Sequence, residues 1–441
     1  MITFISQSAE CCSIAQKMQR EGADVQVYLH HPQYVKSFDG LLPKLKLSEL
    51  PAAVRKSQTV IFDHVRPNMG LKRDKALLRA FGCDPQAPSV FGPVAEKLRK
   101  RKVHTIGSSK WTEQLELDRQ FGSQVAQKIG LSIPVTYDFD SLSEARRFLE
   151  KKNTLWVLKP HNNLDLDLTY VEKYPGELEY MLREIIPRRI GSDKCPVMLQ
   201  KKVEGTDLST EGWFDGEQFT QFNHTYEDKT LMDGCLGPHI GSQSNTVWTK
   251  QQVSQIVNAI NKLAPLLKEA GYIGPIDVNT VVAEKNGRPY FLEFTPRFGY
   301  DALYCLLSLL PGKVTDFFVG NFEQQPDSRL FACSQRVSIP PFPYEDEKGE
   351  LLERARGVQI KEPPFLIPRM WWQDVLWDNG ILQCAGADGI IGTSVGTGYS
   401  IGEAVNRCME TAQEVKIGSH KQYRTDHKER ARAAYDALPL G

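Results

Sequence analysis

The sequence predicts a multidomain protein that is α/β at its N-terminus, α+β in its middle and β-rich at its C-terminus. Three observations predict this: a strand–helix–strand opening, a central run of short strands interleaved with helices, and a tail punctuated by proline and glycine. With 441 residues, 41% of them hydrophobic and 24% charged, the chain is too long for one core and suits two to four domains.

The opening reads as strand Ile2 to Ser6, helix Glu10 to Arg20 and strand Val25 to Leu29. Strands Thr59 to Asp63 and Val103 to Ile106 extend the same sheet. A polar helix is predicted over Lys110 to Ile129. The following insert contains strand Val135 to Phe139, a capping-box pattern Ser141/Glu144 before helix Ala145 to Lys152, strand Thr154 to Lys159, helix Leu178 to Ile186 and strand Val197 to Val203. Leu208 to Thr225 reads as a strand pair turning at Asp215-Gly216, followed by a glycine-bearing loop, Asp233 to Gln243, and one long helix, Val253 to Ala270. Strands Pro275 to Ala283 and Pro289 to Phe294 flank Lys285-Asn286-Gly287. In the tail, bends are expected at Pro340, Pro341 and Pro343 and at Glu362-Pro363-Pro364. Turns are expected over Gly392 to Gly402, and a helix over Ile401 to Val415.

The 54 basic and 54 acidic side chains cancel, so no overall field draws the molecule to nucleic acid or to an anionic membrane. Lys97 to Lys102 is the one dense basic run, readable as a phosphate-binding patch or as a solvated helix face. No leader pattern and no run of about eighteen apolar residues is present, so a cytoplasmic location is expected and membrane partners are not. Nine cysteines without a CxxC pair suit a reducing compartment, with the adjacent Cys11 and Cys12 packing a helix.

The segment Gly274 to Gly299 carries the strongest chemical pattern. Alternate residues of a strand share a face, so Asp277 and Asn279 point one way, as do Glu293, Thr295 and Arg297 if their strand continues. Oxygen donors on one face suit a hard cation such as Mg²⁺ that also keeps phosphate oxygens; a solvated sheet face would look the same. For the face to form, Asn279 must oppose Glu293 and Asp277 must oppose Thr295. A three-residue loop Lys285-Asn286-Gly287 with left-handed glycine would give that register. Lys159 ends an apolar strand, where it can reach a phosphate or snorkel to solvent. Glu204 to Asp207 offers carboxylates after another apolar strand.

These pieces, in this order, resemble the phosphoribosylamine–glycine ligase family of ATP-grasp enzymes over nearly the full length. The resemblance rests on VEGTDLSTEGWFDG from Val203, GPHIGSQ from Gly237, GYIGPIDVN from Gly271, LEFTPRFG from Leu292, and GTSVGTGYSIGEAVNRCMETAQEV followed by QYRTD in the tail. It implies an ATP-grasp architecture: an N-terminal α/β domain over 1–106, an ATP-grasp domain over 107–325 with a small insert at about 134–203, and a β-rich closing domain over 326–441. It also implies an ATP-dependent ligase that makes an amide through an acyl phosphate, with ATP and Mg²⁺ (or Mn²⁺) as cofactors.

Carried over residue by residue, Arg119, Lys159 and Asp207 would contact ATP, with Gln200, Lys201, Lys202 and Val203 lining the adenine pocket chiefly through backbone. Glu293 and Thr295, helped by Asp277 or Asn279, would hold the metal. Arg297 and Lys159 would be catalytic. Gly237, Pro238, His239 and Gly241, with Arg297, would hold an amino-acid carboxylate such as glycine's.

Three departures stand out. Lys159 is followed by PHNNLDLDLTYV, without the family's glycines and with Asp165 and Asp167 nearby. Thr295 stands where the family has asparagine. The loop after the first strand, Ser6-Gln7-Ser8-Ala9-Glu10, has no glycine to cradle a ribose phosphate. An amine acceptor without that phosphate is therefore expected: a small nucleotide-like amine, or an amine on a modified nucleic-acid base. Phosphoribosylamine itself is one alternative, and a degenerate, binding-only ATP-grasp protein another.

Overall fold

The structure is a computed structural model that describes residues 1–150, 152–160, 169–344, 353–361, 369–418 and 421–440, leaving out the side chains of 189 and 190. The expected features at Asp165, Asp167 and Glu362-Pro363-Pro364 lie outside the described residues.

The first 106 residues build a parallel sheet of order β2-β1-β3-β4 from β1 (Ile2–Ser6), β2 (Val25–Leu29), β3 (Thr59–Phe62) and β4 (His104–Ile106). All five residues of β1 are buried, as a strand covered on both faces requires. Helices α1 (Glu10–Arg20), α2 (Leu50–Lys56), α3 (Lys72–Ala80) and α4 (Phe91–Lys100) connect the strands. Cys11 and Cys12 pack in the core, and none of the nine cysteines forms a disulfide. The basic run on and after α4 is not one surface patch. Arg99 turns inward, donates to Ser108 O at 2.5 Å, Thr105 O at 3.3 Å and Gly107 O, and so fastens the turn after β4.

The single helix expected over Lys110 to Ile129 is two, α5 (Lys110–Leu117) and α6 (Arg119–Ile129). Asp118 leaves helical geometry between them and caps α6, accepting from Phe121 N at 3.0 Å. The insert is a four-stranded sheet of order β5-β8-β6-β7, comprising β5 (Thr136–Phe139), β6 (Trp156–Pro160), β7 (Tyr170–Val171) and β8 (Val197–Lys201). Helix α7 (Leu142–Leu149) covers it, capped by Ser141 accepting from Glu144 N at 3.3 Å. The expected helix Leu178 to Ile186 is irregular: α8 (Glu177–Tyr180), a π turn at Met181–Ile185, and α9 (Ile186–Ile190).

The main sheet has eight strands in the order β13-β12-β9-β10-β11-β14-β19-β16. Its strands β9 (Gly205–Phe214) and β10 (Phe219–Met232) form the expected pair around Asp215-Gly216. The expected loop Asp233 to Gln243 is instead a short turn at Asp233–Cys235 and then β11 (Leu236–Trp248), which runs back along β10. The turn is held by the tail, where Thr425 N donates to Asp233 Oδ1 at 2.7 Å and Gly234 N to Asp426 Oδ2 at 2.8 Å. The expected long helix is also two, α10 (Ser254–Asn261) and α11 (Ala264–Glu269). Pro265, which has no N–H to give, sits in the first turn of the second.

Strands β12 (Gly274–Ala283) and β13 (Pro289–Thr295) close one edge, and helices α12 (Ala302–Ser308) and α13 (Val314–Val319) follow them. At the other end β14 (Phe331–Ser338), β16 (Met370–Trp372) and β19 (Ile390–Gly398) continue the same sheet. The short strands β15 (Gln359–Ile360), β17 (Val375–Asp378) and β18 (Ile381–Cys384) form a small one of their own. The glycines expected as turns over Gly392 to Gly402 lie largely in β19. A Cβ at Gly396 would come within 2.3 Å of the backbone of α14 (Ile401–Glu414), so glycine permits that helix to lie on the sheet. Helix α15 (His427–Asp436) ends the fold. Among the described residues no helix is long and apolar enough to cross a membrane.

Candidate functional site

The pairing of β9, β10, β12 and β13 gives the main sheet one polar face. Asp277 stands opposite Glu211 and Asn279 opposite Ser209 on β9, while Asp277 opposes Thr295 and Asn279 opposes Glu293 on β13. This is the expected register, but the loop does not set it. Ala283 pairs with Arg288 around four residues, Glu284 to Gly287, and a bulge at Leu292 then restores the alignment. Gly287 is left-handed, with φ 66°.

On this face the polar groups divide into a held layer and an open one. Ser209 donates to Asp277 Oδ1 at 2.5 Å, and Asn279 Nδ2 lies 3.2 Å from Asp277 Oδ2 and 3.3 Å from Thr295 Oγ1. Burial raises the Asp277 carboxyl to about 7 despite the Ser209 bond, with Glu227 and Glu293 adding to the rise. Burial likewise raises neighbouring Glu211 to about 8. Glu293 is exposed and makes no hydrogen bond to the protein among the described residues.

Across a narrow crevice the insert sheet presents Lys159 from β6 with Met198 and Gln200 from β8. The crevice is closed by Glu116, Arg119 and Ser123 of α5 and α6 and by Phe291 to Glu293. Lys159 is lowered to about 8 by burial; Glu293 and Asp207 oppose that, and Arg119 and Lys229 reinforce it. Arg119, at the start of α6, is lowered by burial against the pull of Glu293. Asp207 is exposed at the start of β9.

Lys201 is exposed outside this crevice, and Lys202 Nζ donates to Glu172 O at 3.0 Å. The backbone N–H groups of Lys201 and Lys202 are taken by Val135 O at 2.8 Å and Leu155 O at 3.0 Å. Those two residues therefore offer carbonyls rather than donors, and Val203 is partly exposed just beyond them. Gly237, Pro238, His239 and Gly241 lie on β11, where Thr230 faces His239. His239 is exposed, and its imidazole is shifted down first by desolvation and then by Lys229, so it borders the same polar face.

Two residues of this face have no counterpart among the sequence candidates. Lys229 and Glu227 on β10 pair at 3.5 Å. The Lys229 ammonium is raised against burial by Glu227, Asp207 and Glu293. The signal was available in the alternation of FNHTYEDKTLM, but alternation alone does not say which face turns toward β9 and β12.

Arg297 joins this face to a second polar cluster. Its Nε lies 3.0 Å from Glu116 Oε1, and its charged form is favoured by Glu116, Glu10 and Glu293. Beyond it, His64 Nε2 is 3.1 Å from Glu10 Oε2 and Nδ1 is 2.9 Å from Asp63 Oδ1, while Ser8 donates to Glu10 at 2.9 Å. Burial opposes both charges, yet His64 is raised to about 10 by Asp63 and Glu10, and Glu10 is lowered to about 2 by His64 and Arg336. The glycine-free loop after β1 thus leads to a carboxylate at the start of α1 whose Oε2 is held by both Ser8 and His64.

Oxygen donors brought together in this way fit a hard cation: Glu293 is open, Glu227 and the Asn279 amide oxygen share its face, and Mg²⁺ completes its shell with phosphates and water. Among the described residues no three His, Cys, Asp or Glu side chains form a ready-made metal cluster.

A small sheet carrying a lysine, folded over the polar face of a larger antiparallel sheet with a glutamate at its edge, defines the ATP-grasp class, and the architecture of this chain is of that class. Residues 117–302 match the model of the phosphoribosylglycinamide synthetase ATP-grasp (A) domain. The chain is 24% identical to the chloroplastic phosphoribosylamine–glycine ligase of Arabidopsis thaliana over 63% of its own length and 55% of the relative's. It is 22% identical to the Thermotoga maritima phosphoribosylamine–glycine ligase over 77% and 80%. The crystal structure of that Thermotoga maritima ligase superposes with a TM-score of 0.69 at 18% identity, covering 96% of this chain and 99% of that one. A biotin carboxylase from Campylobacter jejuni superposes at 0.60 and 13% identity, over 96% and 92%. The chain thus spans little more than half the length of the Arabidopsis relative, and it resembles phosphoribosylamine–glycine ligase while diverging from it.

Proposed function

We propose that the protein is a cytoplasmic ATP-dependent ligase that joins the carboxylate of an amino acid such as glycine to an amine through an acyl phosphate. The observation that carries this reading is the electrostatic coupling of Lys159, on the insert sheet, to Glu293 and Asp207 on the main sheet and to Arg119 on α6. Cations from three elements, Lys159 on β6, Arg119 on α6 and Lys229 on β10, meet an open carboxylate, as a triphosphate with its metal requires.

In this reading Lys159, Arg119 and Lys229 neutralise the phosphates, and Asp207 and the carbonyls of Gln200 to Val203 hold the nucleoside. Glu293, with Asn279 and Glu227, would hold Mg²⁺, while Asp277 and Thr295 keep Asn279 in place. Bound there, Mg²⁺ supplies charge neutralisation at the phosphates. The amino-acid carboxylate, held near His239, Gly237, Pro238 and Gly241, attacks the γ-phosphorus and ADP leaves. Arg297 stabilises the transferred group, and the amine then displaces phosphate as the new C–N bond forms. Catalysis is mainly positioning and charge neutralisation, with closure of the insert excluding water from the acyl phosphate. In this reading the chain divides into an N-terminal domain over 1–106, an ATP-grasp domain over 107–325 and a closing domain over 326–441.

The names of the curated relatives support phosphoribosylamine as the amine. A second reading, an amine without a ribose 5-phosphate, is favoured by one observation: Glu10 fills the helix start where a phosphate would otherwise dock, with its charge held by His64 and Ser8. The test is product mass spectrometry with MgATP, glycine and freshly generated phosphoribosylamine, run beside a panel of amino acids and phosphate-free amines. Amide and ADP in equal amounts support the ligase. Nucleotide binding without ADP release in a single turnover would replace it with a binding-only protein.

A further inference from the structure

A cavity of about 250 Å³ lies away from the candidate site, where α1, the end of α12, β16 and β19 meet. Lys17 and Arg369 border it, with the hydroxyls of Ser308 and Thr397, and Trp371 together with aliphatic side chains supplies its apolar wall. Among the described residues no carboxylate lines it. Lys17 Nζ stands 5.9 Å from the Trp371 ring centroid, and neither Lys17 nor Arg369 has an ion pair among the described residues.

We propose that this cavity binds a small phosphate ester, with the phosphate between Lys17 and Arg369 and the organic part against Trp371. Two cations with no counter-charge among the described residues, set in a cleft with low-dielectric walls, focus a positive potential where an anion can enter. An ammonium and a guanidinium beside the Thr397 hydroxyl match the several acceptor oxygens of a phosphate, while the Ser308 hydroxyl donates to Tyr304 O at 2.7 Å. The volume falls just below the range of about 300–1,000 Å³ typical of drug-sized pockets, which limits the ligand to a small metabolite.

The cavity is also physically joined to the candidate site. Trp371 stacks on Tyr304 with centroids 4.8 Å apart and rings 16° from parallel, and Tyr304 Oη donates to Glu10 O at 2.8 Å. An occupant against Trp371 therefore bears on the start of α1, the same helix that carries Lys17 in its last turn.

The test uses the full chain without nucleotide, titrated with phenyl phosphate by calorimetry. Three proteins are compared: the parent, the Lys17→Gln/Arg369→Gln double variant, and Lys159→Ala. The proposal expects binding in the parent and in Lys159→Ala, weakened at least about tenfold in the double variant, the scale of one charge-assisted contact. ATP binding should be unchanged in that double variant. Absence of binding in the parent, equal binding in the double variant, or loss in Lys159→Ala overturns the proposal. Because no turnover is read, failure of the ligase reading leaves this result intact.

Discussion

Asn279 and Glu293 stand directly opposite one another on β12 and β13, and the bulge at Leu292 is what puts them there. The open carboxylate therefore depends on one irregular residue in β13. Glu293→Gln removes its charge while preserving shape, and because the side chain is exposed the fold should persist. Metal-dependent ADP formation is expected to fall about a hundredfold or more, the scale of losing a preorganised electrostatic contact. Turnover at the parent rate with an unchanged melting curve would remove Glu293 from the metal site.

If Lys159 meets the phosphates as proposed, it should set a pH limit on nucleotide binding. Burial lowers its ammonium to about 8 in the free protein, so the charged form that attracts phosphate is present below that pH and lost above it. ATP affinity measured by calorimetry should decline as pH rises from about 8 to 9.5. Lys159→Arg, which stays charged, should flatten the decline at some loss of affinity. Affinity that stays constant to pH 9.5 in the parent would show that Lys159 does not meet the phosphates.

The Glu10–His64 pair should leave its mark on stability rather than on turnover alone. His64 is raised from its ordinary 6.5 to about 10, so its contribution is complete below about pH 6.5 and disappears as pH rises through 10. Glu10 is lowered from 4.5 to about 2, so its contribution is complete above about 4.5 and disappears as pH falls through 2. Both are in force between about pH 4.5 and 6.5. In urea unfolding, His64→Gln should cost about 3 kcal/mol at pH 6, since it strands the buried Asp63 carboxylate and the partly buried one of Glu10, and much less near pH 10. An equal cost at both pH values would contradict the protonated imidazole.

The tail is expected to be essential to the main sheet. Asp228 on β10 is buried and meets His427 Nδ1 at 2.7 Å, Arg430 Nε at 2.7 Å and Arg424 Nη1 at 3.8 Å. Arg424 is fully buried and also grips Thr230 O at 3.1 Å. Asp228→Asn leaves Arg430 without a carboxylate and weakens the contact to His427, while Arg424 keeps Asp426 at 2.6 Å, and it should destabilise by about 3 kcal/mol in chemical denaturation. A change under about 1 kcal/mol would mean that the tail docks by apolar packing instead.

Catalytic efficiency toward phosphoribosylamine separates the two acceptor readings. If Glu10 and the glycine-free loop exclude the ribose phosphate, efficiency stays below the ordinary enzyme range of about ten thousand per molar per second. A value at or above that, from steady-state amide formation, would favour phosphoribosylamine.

The sequence by itself determined the alternation of Asp277 with Asn279 and of Glu293 with Thr295, the parallel opening sheet, and the strand that ends in Lys159. Such features depend on residues two to four apart, whose relative direction the backbone fixes locally. Helix ends were less legible: Asp118 and Pro265 interrupt apolar periods that otherwise run on, and a period does not register a cap. Tertiary structure alone decided the four-residue loop and its compensating bulge, because register is settled by which face of β13 the core buries. It also turned Arg99 inward to three carbonyls, and it set Lys229 of β10 among Lys159, Asp207 and Glu293. Those contacts join residues far apart in the chain. A buried cation's partners are chosen by the low-dielectric surroundings that folding creates, and no local pattern of residue types records that choice.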